Sequence, residues 1–307
     1  MAPKWKINIM KSSIMKHTGF VNLRRASVLV LLTLLSSACS MDKLLVRASL
    51  PMIEGGIEAL NKETDLELAE ASIPTNLELL EGMIGIDPGN ITLHTYAAQA
   101  YYGLGYGFNE DHRQQRASNF YLRGRKHGLT ALALSGASHL DKGNFDAFES
   151  DLENLDTDDV PALFWAASNW AKWIDMNRDQ PESIAQLPKP TAMMQRVLEL
   201  DETFYYGGAH MYFGVYYGSR SPMFGGNFEK SRQHFDQARK ITNGKLLVAD
   251  LLQAQYLARQ AVDREDFHNR LTKIINAPED LYPELALLNQ IAKRKARLLL
   301  KLEDKWF

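Results

Sequence analysis

The sequence predicts an all-α chain, built as helical hairpins stacked into a superhelix with long inserts between paired helices. Three observations predict it. Apolar residues recur at spacings of three and four along almost the whole 307-residue chain, the period of a helix with one buried face. No stretch sustains the apolar-polar alternation of a half-buried strand. One motif also occurs twice, with "AYYG" (Ala100 to Gly103) and "VYYG" (Val215 to Gly218) lying 115 residues apart.

The N-terminus reads as an export signal. Lys4, Lys6, Lys11, Lys16, Arg24 and Arg25 precede the apolar run "VLVLLTLL" (Val28 to Leu35), and small residues follow in "SSACS". A basic stretch, a short apolar stretch and a small-residue cleavage point mark a secretory signal. The run is far short of the roughly 20 residues that span a bilayer. Cys39 is the one cysteine of the chain, so it has no internal disulfide partner. Its setting resembles a bacterial lipobox, although Ser36 stands where that motif usually has Leu. We therefore expect a signal peptide over 1–38, acylation of Cys39, an anchored linker or first helix over 39–60 and a helical domain over 61–307. Ser40, rather than Asp, after the cysteine favours the outer membrane by the sorting rule of enteric bacteria. Removing the signal takes six of the 35 basic residues and none of the 37 acidic ones, so the mature charge is −8. An acidic chain of this kind lacks the basic footprint of a nucleic-acid binder.

The helices follow in order. "IGIDPGN" (Ile84 to Asn90) closes one helix, "AYYG" lies on the next, and a partner helix carries Ala117, Tyr121 and Gly124. Asn144 can cap a helix whose face holds Phe145, Phe148, Leu152 and Leu155. Asp159 and Pro161 suit the opening turn of a helix with Leu163, Ala167, Trp170 and Ile174 on one side. "LELDETF" (Leu198 to Phe204) closes a further helix, "VYYG" follows, and Ser231, Phe235 and Ala238 repeat the small-aromatic-small spacing. Leu288, Ala292, Leu299 and Leu302 mark a last helix opening near Pro283. This is the tetratricopeptide register, in which small residues let paired helices approach and an aromatic fills the gap. The connections from Tyr101 to Ala117 and from Tyr217 to Ser231 are longer than the tight turn of that repeat.

The second connection, "YYGSRSPMFGGNF", invites a phosphate-loop reading. It fails, because Glu229 rather than glycine precedes Lys230-Ser231 and no strand leads in. A structural role fits better: Gly225 and Gly226 permit a sharp entry and Asn227 can cap the helix. We expect Tyr101, Tyr102, Tyr216, Tyr217 and Phe224 to surround one apolar groove. Trp165, Trp170 and Trp173 read first as core, with Trp165 the candidate for a channel wall.

"PALFWAASNWAKWI" (Pro161 to Ile174), "MFGGNFEKSRQHFDQA" (Met223 to Ala238), "LLNQIAKRKARLLL" (Leu287 to Leu300) and "RASNFYLRGRKHGLTAL" (Arg116 to Leu132) resemble hallmark segments of the TRAP transporter T-component (TatT) lipoprotein family. The likeness runs from about residue 60 to the C-terminus. It implies a tetratricopeptide-like periplasmic lipoprotein acting beside a TRAP-type solute-binding protein, with a small hydrophobic or organic-acid ligand. It brings no catalytic residues and no cofactor.

The remaining candidates are weaker. The eight histidines show no ligand spacing, and no HExxH or CxxC occurs. "DLENLDTDD" (Asp151 to Asp159) lacks the glycine and closing glutamate of a calcium loop. Arg113, Arg116, Arg123, Arg125 and Lys126 read as a solvated basic face, with a docking patch as the alternative. We expect no enzyme. The competing role is a protein-interaction scaffold, the commonest use of such folds, and a homo-oligomer is an open option.

Overall fold

The computed structural model describes residues 41–142 and 144–307. Cys39 and the signal segment lie outside the described residues. Two compact units are distinguished, one ending at Pro51 and one running from Met52 to Phe307. The larger unit therefore takes in most of the helix we had assigned to the linker. Within it, Tyr96 donates its hydroxyl hydrogen bond to Glu54 Oε1 at 2.8 Å, which ties that helix to the body.

The chain is 79% helical, with no strand among the described residues. Helix α1 spans Leu50–Asn61, α2 Leu66–Ile86 and α3 Ile91–Gly103. Then come α4 Gln114–Leu134, α5 Phe145–Asn154, α6 Val160–Met176 and α7 Pro188–Asp201. The second half contributes α8 Phe204–Gly218, α9 Phe228–Ile241, α10 Val248–Leu252, α11 Arg264–Asn276 and α12 Ala286–Leu300. The expected caps are present, Asn144 accepting from the Ala147 amide and Asn227 from Lys230, and Asn90 adds a third by accepting from the Leu93 amide.

Helices pack against near neighbours in the chain: α3 on α4, α4 on α6, α6 on α7, α8 on α9 and α11 on α12. Small residues set the spacing. A Cβ on Gly128 of α4 would sit 2.7 Å from Ala166 of α6, and one on Gly214 of α8 would sit 2.7 Å from the Phe235 ring of α9. Tyr121 and Phe235, the aromatics of the repeated motif, are both fully buried. One core gathers Leu132, Phe148, Trp165, Trp170, Met193 and Phe213, and a second gathers Leu251, Phe267, Leu271, Ala292 and Ala296.

Three expectations need correction. The first insert is not a loop. Helix α3 runs on through a π-helical segment, Leu104–Asn109, in which the Glu110 amide donates to the Gly105 carbonyl at 2.9 Å. The wider register feeds an extra residue inward, so Tyr106 and Phe108 are buried. Phe145 sits at the mouth of α5 and is 65% exposed, while Phe148, Leu152 and Leu155 face the core. The last long helix ends at Leu300, which leaves Leu302 beyond its cap and exposed.

Candidate functional site

Two π-helical segments, Leu104–Asn109 and Gln253–Ala258, supply tyrosines to one buried polar cluster. Its centre is Glu110. One carboxylate oxygen accepts from Lys172 Nζ at 2.7 Å and from the Tyr121 hydroxyl at 2.7 Å. The other accepts from Lys295 Nζ at 2.8 Å, and Lys295 also reaches Asp111 at 2.8 Å. Asp175 meets Lys172 at 3.5 Å, pairs with Arg178 and accepts from the Tyr256 hydroxyl at 3.2 Å. Burial alone would raise the Glu110 pKa, but the two ammonium groups outweigh it and hold the carboxyl at about 2. Glu110 in turn outweighs the burial of Lys172 and raises its pKa well above the ordinary value. Glu110 and Lys172 are thus both charged at neutral pH. The Tyr106 hydroxyl is buried beside it with no hydrogen-bond partner, and Lys295 Nζ stands 4.6 Å from that ring's centroid.

An aromatic wall continues from this cluster. Tyr102 stacks on Tyr106 with centroids 5.9 Å apart and meets Trp165 at 5.4 Å. Trp165 meets Tyr205 edge-on at 4.6 Å. Desolvation pushes the Tyr102 pKa up to about 12, so its hydroxyl is a neutral donor at physiological pH. Tyr205 reaches the wall through a left-handed turn at the start of α8, where φ is 45° at Tyr205, 61° at Tyr206 and 77° at Gly207. Bulky residues in that region cost on the order of 1–3 kcal/mol each. The turn sends Tyr205 to the first core and Tyr206 to the second, where it meets Tyr282.

A separate cleft of ≈ 560 Å³ opens between α7 and α8. Leu187, Pro188 and Ala192 form one wall, and Phe213, Tyr216 and Tyr217 form the other. Thr191 and Gln195 add polar points to the lining, and Arg220 adds a guanidinium. The Thr191 and Tyr212 hydroxyls share a hydrogen bond at 2.8 Å that fixes the two helices to each other.

Two histidine pairs flank these surfaces. His94 and His127 have Nδ1 atoms 2.9 Å apart, and His127 Nε2 lies 3.1 Å from Glu81. His210 and His234 repeat this at 3.0 Å, with His210 Nε2 3.2 Å from Glu202. In each pair one Nδ1 donates and the other accepts. His234 stacks on Tyr217 and Phe213 of the cleft. Burial, His210 and Lys230 push its pKa down to about 4. Among the described residues no group of three or more potential ligands is arranged to hold a metal.

The residues named from sequence fall into distinct places. Tyr216 and Tyr217 line the cleft. Tyr102 and Trp165 belong to the inner wall, where Trp165 is buried. Tyr101 is buried with its hydroxyl on Glu81 at 2.6 Å and its ring stacked on His127. Phe224 is 76% exposed on a short 3₁₀ turn. That turn is closed by Gly225 at φ 81°, and Gly226 packs too closely on the Arg220 carbonyl for any side chain. No ring contact joins the Tyr102 set to the Tyr216 set among the described residues. Sequence reasoning missed Glu110, Lys172, Lys295, the histidine pairs and Arg220, because partners such as Glu110 and Lys295 are far apart in the chain. The doubled Tyr-Tyr-Gly followed by charge was the one available signal.

No helix of the described residues is long and apolar enough to cross a membrane. A family model described as TRAP transporter T-component matches residues 62–307. No curated protein matches the chain.

Proposed function

The chain belongs to the TRAP transporter T-component family, and on that premise we propose that it is the accessory component of a TRAP-type solute uptake system. In this reading the protein is anchored through acylated Cys39 on the periplasmic side. It holds a small apolar or amphipathic ligand in the α7–α8 cleft and exchanges it with a solute-binding partner. The family is a transport component, so the coarse role is transport.

The observation that carries the reading is the cleft. Its ≈ 560 Å³ and its mixture of aliphatic and aromatic walls with a few polar points match the ordinary chemistry of small-molecule sites. The test is binding of the neutral fluorescent probe Nile red. Tyr217→Ala should weaken binding severalfold with the helical circular dichroism unchanged, while Phe224→Ala should leave it intact. Equal binding by wild type and Tyr217→Ala would remove the cleft from the account.

A partner-binding role is favoured by one further observation. Met223 and Phe224 are 90% and 76% exposed on a turn held by the Asn227 amide, which donates to the Tyr217 carbonyl at 2.9 Å. A rigid exposed apolar knuckle beside the cleft is where a solute-binding protein would dock. Site-specific photocrosslinking from position 224 tests this, and capture of no TRAP solute-binding protein would count against it.

A further inference from the structure

The histidine pair of the first half differs from that of the second in what its outer nitrogens meet. His94 Nε2 lies 3.1 Å from the Pro88 carbonyl oxygen, in the turn between α2 and α3. His127 Nε2, on α4, lies 3.1 Å from Glu81 Oε1 of α2, which also accepts the Tyr101 hydroxyl at 2.6 Å. The inner contact is straight. The Nδ1 atoms are 2.9 Å apart and the ring centroids 5.2 Å apart, a separation that matches the N···N distance plus the two ring radii. Each Nδ1 therefore points at the other, as an N–H···N bond requires.

Proton counting fixes the charge of this arrangement. A carbonyl oxygen only accepts, and so does an ionised carboxylate. Burial alone would raise the Glu81 pKa, but Tyr101, His127 and Arg123 outweigh it and lower it, so Glu81 is an acceptor. Both Nε2 atoms must then carry protons, and the Nδ1–Nδ1 bond needs a third. Two neutral imidazoles hold only two between them, so the bonded pair carries one positive charge. Burial pushes the His127 pKa down more than Glu81 raises it, and His94 and Lys126 add to the fall. His127 is accordingly the neutral ring, accepting at Nδ1. The His210–His234 pair makes its two bonds with two protons, since His234 Nε2 has no hydrogen-bond partner among the described residues.

We propose that His94–His127 is a proton-binding site that makes the seating of α2 on α3 and α4 depend on pH from both sides. Loss of the third proton as pH rises leaves Pro88, Glu81 or the facing Nδ1 without its donor. Gain of a fourth as pH falls sets two N–H groups against each other. The groups that set this balance lie on all three helices: Glu81 on α2, Tyr101 on α3, Arg123 and Lys126 on α4. Burial pushes the Tyr101 pKa up to about 12, so that hydroxyl stays a neutral donor. The signs follow from an unfolded histidine value of about 6.5. The third proton is bound in the fold and shed by the unfolded chain above that value, so its contribution fades as pH rises. The lowered His127 value acts oppositely, and its contribution fades as pH falls. The inference is independent of the cleft.

The experiment is imidazole NMR on the purified processed protein carrying 15N-labelled histidine. Coupling between the two Nδ1 nuclei across the hydrogen bond should identify each pair. His127→Gln and His234→Gln each remove one pair's coupling, so one folded variant assigns both. At pH 7 the His94–His127 rings should show three nitrogen-bound protons, two of them on one ring. Raising the pH to 9 should remove one, and hydrogen-exchange protection of α2, corrected for intrinsic rates, should fall severalfold. The same fall is expected in His234→Gln and not in His127→Gln. Only two protons in the pair at pH 7, or no coupling between its rings, would overturn the proposal. So would α2 protection that follows the same pH course in wild type and His127→Gln.

Discussion

Gly214 and Phe235 form a complementary pair that a double-mutant cycle can isolate. Phe235 on α9 is fully buried, and its ring occupies the space a Cβ on Gly214 of α8 would need, with ring atoms at 2.7 to 2.8 Å. Phe235→Ala empties that space and should cost about 3–5 kcal/mol. Gly214→Ala alone forces the ring to shift, an overpacking that costs about 1–3 kcal/mol, offset by up to ~1 kcal/mol from the better helix propensity of alanine. In the Phe235→Ala background the new methyl meets no ring. There the Gly214→Ala step should be neutral or stabilising, which gives a coupling of about 1–3 kcal/mol. Phe224→Ala, on the exposed turn, is the control and should change stability by less than about 0.5 kcal/mol. Urea unfolding followed by circular dichroism measures all of these at constant m-value. Additive losses in the double variant, or equal small losses for Phe235→Ala and Phe224→Ala, would refute the packing assigned to the repeat.

Other expectations follow from the charged groups and the N-terminus. Glu110→Gln should destabilise the chain by about 3–5 kcal/mol in urea unfolding, because it leaves Lys172 and Lys295 buried without their shared partner. His234 has a folded pKa of about 4 against 6.5 in the unfolded chain, so its contribution is full above pH 6.5 and is lost as the pH falls toward 4. His234→Phe should therefore lose less melting temperature than wild type between pH 7 and 4.5, as read by thermal scans. Cys39→Ser should move the protein from the membrane fraction to soluble or unprocessed material. Absence of an acyl mass on the wild-type N-terminus would contradict the anchor.

The legible part of the fold was the part written in local periodicity. Asn144 and Asn227 cap where the sequence placed them, because capping depends on residues two or three positions away. Ser231, Phe235 and Ala238 are buried at the spacing that named them. The π-helical continuation through Leu104–Asn109 was not legible. Gly103, Gly105 and Gly107 look like loop formers, but Gly105 and Gly107 lie packed against Tyr121 and Ile291, contacts that the local sequence does not announce. The left-handed turn at Tyr205 and Tyr206 was equally hidden, since bulky aromatics avoid that region unless tertiary contacts hold them there. The site was half legible. Tyr216 and Tyr217 carried an aromatic signature, whereas Arg220 and the Glu110 cluster acquire meaning only from neighbours that folding supplies.

The central claim is that the α7–α8 cleft holds an apolar-bodied ligand, and photoaffinity labelling tests it most directly. A diazirine-bearing fatty acid should be irradiated with the purified processed protein, and the adducts mapped by peptide mass spectrometry. The account predicts adducts on peptides containing Pro188 to Gln195 and Phe213 to Arg220, competed away by excess unlabelled acid. Labelling confined to other helices, or labelling that excess acid does not reduce, would contradict it.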